Sequence, residues 1–114
     1  MHELGIMEST LAAALAAARD NGAHRVHRIV LRVGALSGAE PDALRFAFAA
    51  VTAGTPADGA VLEIDAGPAR ARCPDCAIAY VPGAGFITAC PQCRRLCADL
   101  RSGRELELTR VEMS

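Results

Sequence analysis

The spacing of apolar residues changes along the chain from a helical period to an alternating one. From Leu4 to Ala18 the apolar side chains recur every three or four positions, as Leu4, Met7, Leu11, Ala14, Leu15 and Ala18. This spacing places them on one face of a helix. Gly22 suits the left-handed conformation that ends many helices. Residues Arg25–Val33 then follow a period of two, which predicts a half-buried strand: one side carries His27, Ile29, Leu31 and Val33, and the other carries Val26, Arg28, Val30 and Arg32.

A second helix is predicted after the connector formed by residues 34–40, and two starting points are open. Ser37 and Glu40 have the spacing of a capping box, whereas Pro41 would suit the first helical position after a cap at Glu40. Either start leads into the same apolar stripe, which consists of Leu44, Ala47, Phe48 and Val51. A turn-rich stretch over residues 54–59 separates this helix from the next strand.

Two further strands, Val61–Ala66 and Glu105–Met113, flank a cysteine-bearing segment. We therefore expect an α+β fold with two helices on one face of a three-stranded mixed sheet and a zinc-ribbon-like four-cysteine module inserted between the second and third strands. Residues 1–67, completed by 104–114, are expected to form one domain and 68–103 the other. The insert has few large apolar side chains, so its core cannot stabilise it alone. A bound metal ion is the expected source of the missing stability.

Charge and hydropathy exclude some classes of function. Twelve basic and thirteen acidic residues give a formal net charge of −1 without blocks of like charge, which disfavours nucleic acid as a primary partner. The longest apolar run, Leu11–Ala18, is too short to cross a bilayer, and the N-terminus lacks the pattern of a secretory leader. We expect a cytoplasmic protein without membrane attachment.

The cysteines predict a structural zinc site. Cys73-Pro-Asp-Cys76 and Cys90-Pro-Gln-Cys93 are separated by thirteen residues, and each C-x-x-C turn can aim two sulfurs at one point. A redox dithiol is disfavoured because such motifs normally occur singly in a thioredoxin-like unit. Four protein ligands would leave no open position for a substrate, so catalysis is not expected. Cys97 is left over: it could replace Cys93 as a ligand, be a reactive thiol or be a small buried side chain.

The N-terminus offers a second candidate metal site. A histidine near a chain end is usually part of a frayed segment. Here the Met1 amine, the following backbone nitrogens and the His2 imidazole could close chelate rings around one ion, and such a nitrogen set favours Ni(II) or Cu(II). The amine and the imidazole must both lose protons to bind, so affinity should fall at low pH. His24 and His27 are interpreted as ordinary residues at the start of the strand.

Together these features resemble the HypA/HybF family of hydrogenase nickel-incorporation proteins. The resemblance covers essentially the whole chain and is specific in the order and spacing of its parts. These are Met1-His2-Glu3 opening the first helix, Arg32-Val33-Gly34-Ala35-Leu36-Ser37, Glu40 followed by Leu44-Arg45-Phe46-Ala47-Phe48, the strand after Gly59, the two C-P-x-C pairs, and the closing Glu107-Leu108-Thr109-Arg110-Val111-Glu112-Met113.

The resemblance implies a nickel metallochaperone that is not an enzyme. It implies that His2 binds Ni(II) with the Met1 amine, that Glu3 assists the site or contacts a partner, and that zinc is held by Cys73, Cys76, Cys90 and Cys93. The implied partners are a HypB-like GTPase and the large-subunit precursor of [NiFe] hydrogenase, and a homodimer is one candidate assembly. Cys97 departs from the family's four-cysteine pattern.

Two alternatives come from other classes of protein. A zinc-ribbon module that docks on protein or nucleic acid, without a nickel role, would require a basic or aromatic face around the cysteines, and the segment offers only a few such side chains. A thiol oxidoreductase would require cysteines that react freely in the purified protein.

Overall fold

A computed structural model describes residues 2–35, 37–67, 69–81, 88–97 and 100–114 of the chain. In chain order the elements are α1 (His2–Asp20), β1 (Val26–Gly34), α2 (Pro41–Thr52), β2 (Val61–Gly67), β3 (Arg70–Cys73), β4 (Ile78–Tyr80), β5 (Thr88–Ala89), β6 (Leu96–Cys97), β7 (Leu100–Ser102) and β8 (Leu106–Met113).

The chain divides into two compact units. The helical unit consists of residues 1–32, 39–65 and 107–114. The cysteine unit consists of residues 33–38 and 66–106. Neither helix in the described ranges combines the length and the apolar character needed to span a membrane.

Helix α1 buries most of the apolar stripe that its sequence predicts. The buried members are Met7, Leu11, Ala14 and Ala18, joined by Thr10, whereas Leu15 is half-buried and Leu4 is exposed. The helix ends as the sequence predicts, because Gly22 adopts a positive φ of 68°. The N–H of Ala23 then donates to the carbonyl of Ala18 at 2.8 Å, and the N–H of Gly22 donates to that of Arg19 at 3.1 Å. These two bonds form a Schellman motif.

Helix α2 begins at Pro41, which decides between the two predicted starts. Glu40 is the N-cap residue, with φ −89° and ψ 121°, and its carboxylate accepts a hydrogen bond from the Asp42 N–H at 3.4 Å. Proline is well suited to the next position because its missing N–H would have no acceptor within the helix. The buried side chains of α2 are Leu44, Ala47, Phe48 and Thr52.

The larger sheet has the strand order β2-β1-β8, with β1 in the centre. At one end of β1 the N–H of Ala35 donates to Gly67 at the end of β2, and at the other the N–H of Arg25 donates to Ser114 after β8. Strand β2 therefore runs parallel to β1 and β8 antiparallel to it, which confirms the mixed sheet expected from the sequence.

Burial along β1 is less one-sided than its alternating pattern predicts. Ile29 and Leu31 are buried as expected, but Val26 and Val30 on the opposite face are also only 1% and 8% exposed. A central strand has a neighbouring strand on each edge, and the side chains of both neighbours flank its own side chains on each face. On the face shared with Val30, Arg28 forms ion pairs with Glu63 of β2 and with Glu112 of β8.

The cysteine unit contains two small antiparallel sheets. Strands β4, β3 and β7 form one, in that order, and β5 pairs with β6 in the other. The expected insertion of this segment between the second and third strands of the larger sheet is confirmed, since β3 to β7 all lie between β2 and β8 in the chain.

The first testable prediction concerns Gly34, where two backbone segments of the cysteine unit approach each other closely. A Cβ added at Gly34 would overlap the carbonyl group of Gly103. We expect Gly34→Ala to lower the free energy of unfolding by about 1 to 3 kcal/mol, because backbone must shift to admit the methyl group. Urea unfolding followed by circular dichroism measures the change.

The matched control is Gly5→Ala, because Gly5 lies within α1 and a Cβ there would meet no atom within 4 Å. It should raise stability by about 0.5 to 1 kcal/mol through helix propensity. Equal stability of the Gly34→Ala variant and the original chain would contradict the close approach.

Candidate metal centre

Four cysteine side chains converge on one point in the cysteine unit. The Sγ atoms of Cys73, Cys76, Cys90 and Cys93, here called the sulfur cluster, all lie within 4.8 Å of one another. The Sγ atoms of Cys73 and Cys93 are 3.6 Å apart. A tetrahedral zinc ion with Zn–S bonds of about 2.3 Å requires sulfur separations of about 3.8 Å. The sulfur cluster therefore has the size and donor set of a closed thiolate site.

Two turns of the same construction supply the sulfurs. After Cys73, the N–H of Ala77 donates to the Cys73 carbonyl at 2.8 Å, and after Cys90, the N–H of Arg94 donates to the Cys90 carbonyl at 2.8 Å. Ala77 and Arg94 close these turns with positive φ angles of 55° and 64°. The left-handed conformation is unusual for residues other than glycine and costs energy, so the surrounding structure must hold both turns in place.

The two turns are also linked to each other by charge. Asp75 lies in the first turn and Arg95 follows the second, and the Arg95 Nη1 atom is 2.7 Å from Asp75 Oδ1. The N–H of Cys90 donates to the Arg95 carbonyl at 2.8 Å, which fixes the backbone of the second turn. The exposed ion pair adds little stability by itself.

Burial of the sulfur cluster is uneven. Cys73 and Cys90 are fully buried, Cys76 is half-buried and Cys93 is exposed. Ile78 and Tyr80, from β4, pack against the buried sulfurs. One side of the cluster is thus covered by apolar side chains, and the side of Cys93 faces solvent.

The thiols of the sulfur cluster differ in acidity because of their surroundings. The backbone N–H groups of Cys76 and Asp75 direct hydrogen bonds at the Cys73 sulfur and lower its pKa to about 6. The hydrogen bond with Cys93, together with burial, raises the pKa of Cys76 to about 12. Four thiolates this close repel one another, so a cation is needed to hold all of them ionised.

The N-terminal candidate residues lie in the helical unit. The His2 side chain is 59% exposed, and its Nε2 atom lies 3.5 Å from Oε2 of Glu3, whose own side chain is only 13% exposed. The same Glu3 oxygen accepts a hydrogen bond from the backbone N–H of Glu40 at 3.2 Å. Hydrogen bonds from the N–H groups of Glu3 itself and of Glu40 hold the pKa of the Glu3 carboxyl below its usual range. Met1 lies outside the described residues.

The remaining histidines have other partners among the described residues. His27 is hydrogen-bonded through Nε2 to the Ser114 hydroxyl at 2.6 Å, and the His24 N–H donates to the Ser114 carbonyl at 2.7 Å. Cys97 pairs with Thr88 in the β5–β6 ladder, and the position of its side chain lies outside the description. Within the described ranges, the sulfur cluster is the only group of three or more potential ligands close enough to share a metal ion.

Sequence reasoning missed the partner of Glu3. Glu3 and Glu40 are separated by 37 positions, and the bond involves a backbone N–H, which every residue except proline carries. The sequence contains no signal for such a contact.

Comparison with known proteins identifies the family. Residues 1–113 match a family model described as "Hydrogenase/urease nickel incorporation, metallochaperone, hypA". The hydrogenase maturation factor HypA of Chloroflexus aurantiacus is 42% identical over 112 residues, which cover 98% of each chain. That of Acidithiobacillus ferrooxidans is 42% identical over 113 residues, 99% of each chain.

Solved structures share the fold. A solution structure of a HypA protein superposes with a TM-score of 0.75 at 26% identity, covering 100% of this chain and 97% of the other. The solution structure of the Ni metallochaperone HypA from Helicobacter pylori gives a TM-score of 0.66 at 24% identity, covering 97% and 96%.

The whole-chain match, two relatives at 42% identity and the shared fold agree with the resemblance stated from the sequence. The family's description as a metallochaperone agrees with the expectation that the protein is not an enzyme. The chain belongs to the HypA family of hydrogenase and urease nickel-incorporation metallochaperones.

Proposed function

We propose that this protein binds Ni(II) at its N-terminus and delivers it during maturation of [NiFe] hydrogenase. The observation that carries the proposal is the whole-chain family match to a sequence that opens Met1-His2-Glu3, with the His2 side chain 59% exposed. The Met1 amine, the backbone nitrogens that follow it and the His2 imidazole form a nitrogen-rich set suited to Ni(II), and Glu3 supports this set.

An exposed terminal site suits a carrier. Its few protein ligands can be replaced one at a time by ligands of an acceptor, so nickel passes on by ligand exchange without being released into water. A buried site with a complete shell of protein ligands would release the ion too slowly for transfer. The acceptors are a HypB-like GTPase and the large-subunit precursor of [NiFe] hydrogenase, in the cytoplasm.

The sulfur cluster holds a second, permanent metal ion in this proposal. Cys73, Cys76, Cys90 and Cys93 bind structural Zn(II), since four sulfurs within 4.8 Å match its tetrahedral geometry and leave no position for water or substrate. Residues 68–103 thus form a zinc domain, and residues 1–67 with 104–114 form the nickel domain. The zinc supplies the stability that the small apolar core of the cysteine unit lacks.

The second prediction tests His2. We expect His2→Ala to lower the nickel affinity by more than about 100-fold, because loss of a direct ligand should exceed the usual effect of losing a supporting group. Equilibrium dialysis with Ni(II) measures the affinity, and metal analysis should still find one zinc per chain. His24→Ala is the matched control, since His24 is also exposed. Unchanged nickel affinity in His2→Ala would refute the assignment.

The third prediction tests the terminal amine. A short peptide added before Met1 should abolish nickel binding while zinc content stays the same, because the terminal amine becomes an amide and no longer anchors the ion next to the backbone nitrogens that follow it. The same peptide added after Ser114 serves as the control and should leave both metals in place. Full nickel binding by the N-terminally extended chain would exclude the amine as a ligand.

The fourth prediction decides the fourth zinc ligand. Cys93→Ser should weaken zinc binding and lower the thermal unfolding midpoint, because the ligand bonds of a structural zinc contribute directly to folding. Cys97→Ser should change neither. Competition with a chromophoric chelator measures the zinc affinity. If Cys97→Ser lost zinc and Cys93→Ser kept it, Cys97 would be the ligand instead.

A further inference from the structure

We propose that Glu3 is a positioning residue and not a nickel ligand. Its carboxylate joins the first turn of α1 to the N-cap residue of α2 through a hydrogen bond and thereby holds His2 in place. This inference rests on the nickel site proposed above and assigns Glu3 a distinct role in it. It starts from the contrast between two neighbours, because the side chain of His2 is 59% exposed and that of Glu3 is 13% exposed.

The N-terminus of α2 carries a backbone donor for which α2 itself supplies no acceptor. The backbone N–H of an N-cap residue has no acceptor within its helix. In a capping box the side chain at the third helical position accepts this bond. Here the N-cap residue is Glu40 and the third position is Ala43, whose methyl group cannot accept a hydrogen bond.

Glu3 supplies the missing acceptor from another helix. Its Oε2 atom accepts from the Glu40 N–H at 3.2 Å, so the bond of a capping box is made between α1 and α2 instead of within α2. The Glu40 carboxylate completes the cap by accepting from the Asp42 N–H at 3.4 Å. Glu3 and Ala43 also line one groove of about 290 Å³, together with Leu4, Phe46, Ala47 and Ala50.

The bond places the carboxylate where it can hold His2. The Glu3 oxygen that accepts from Glu40 is also 3.5 Å from Nε2 of His2. Chain ends are otherwise prone to fraying. With Glu3 fixed against α2, the first turn of α1 is fixed as well, and the imidazole of His2 is held in one place. Ordering the ligands before the metal binds reduces the entropy lost on binding.

The experiment compares Glu3→Gln with Glu3→Ala, using Ni(II) alone as the probe. Glutamine retains a carbonyl oxygen that can accept from the Glu40 N–H, but it is a much poorer nickel ligand than a carboxylate. We expect Glu3→Gln to keep the nickel affinity within about 3-fold and Glu3→Ala to lose about 10- to 100-fold, the range typical of supporting groups around metal ligands. Hydrogen exchange of the Glu40 amide should be slow in the original chain and in Glu3→Gln, and faster in Glu3→Ala.

A double variant separates positioning from simple stabilisation of α2. Glu3→Ala combined with Ala43→Glu restores a capping box within α2 but does not restore the hydrogen bond between α1 and α2. We expect it to regain thermal stability and Glu40 amide protection while nickel affinity stays low. Recovery of nickel affinity in this variant would show that Glu3 acts only through the stability of α2 and would overturn the proposal.

His2→Ala is measured alongside to keep the two proposals distinguishable. If His2→Ala binds nickel normally, the terminal nickel site itself fails. If His2→Ala loses nickel and Glu3→Gln loses it as severely as Glu3→Ala, the terminal site stands, but Glu3 is a ligand and the positioning role is wrong.

Discussion

Backbone pairing along both edges of β1 is the interaction on which the rest of this structure depends. The strand bonds β2 on one side and β8 on the other, so it joins segments that the cysteine unit separates in sequence. Near its end, the N–H of Gly34 donates to the Glu105 carbonyl at 2.7 Å and the N–H of Ala35 donates to the Gly67 carbonyl at 2.9 Å. These two bonds hold both ends of the inserted segment, and only glycine leaves room for this approach at position 34. The fold can therefore carry a separate module without losing its central sheet.

The two candidate metal sites use opposite physical strategies. The sulfur cluster offers four soft sulfur donors on strained turns and has two fully buried members. These properties favour permanent binding. The N-terminal residues offer nitrogen donors at an exposed end of α1, where ligands can be exchanged one by one. A protein that keeps one ion and passes on another needs this difference in both ligand type and exposure.

The mixed sheet and the insert were predictable because the signals for them are local. The period of apolar residues distinguishes α1 from β1, Gly22 ends α1, and Pro41 begins α2, each through the conformation of a few neighbouring residues. The burial of Val26 and Val30 was not predictable from alternation, because it depends on β1 having a neighbour on each edge. Which strands flank β1 is decided by residues far away in the chain.

The sequence by itself determined which atoms could serve as ligands and in what groups. Each C-x-x-C pair meets at one point because only two residues separate its cysteines, and His2 and Glu3 are neighbours in the chain. Only the tertiary structure decided how these groups are held. The approach of Cys73 to Cys93 and the hydrogen bond from the Glu40 N–H to Glu3 join residues 20 and 37 positions apart. Contacts over such distances depend on how the helices and sheets pack, and the local pattern of side chains does not encode them.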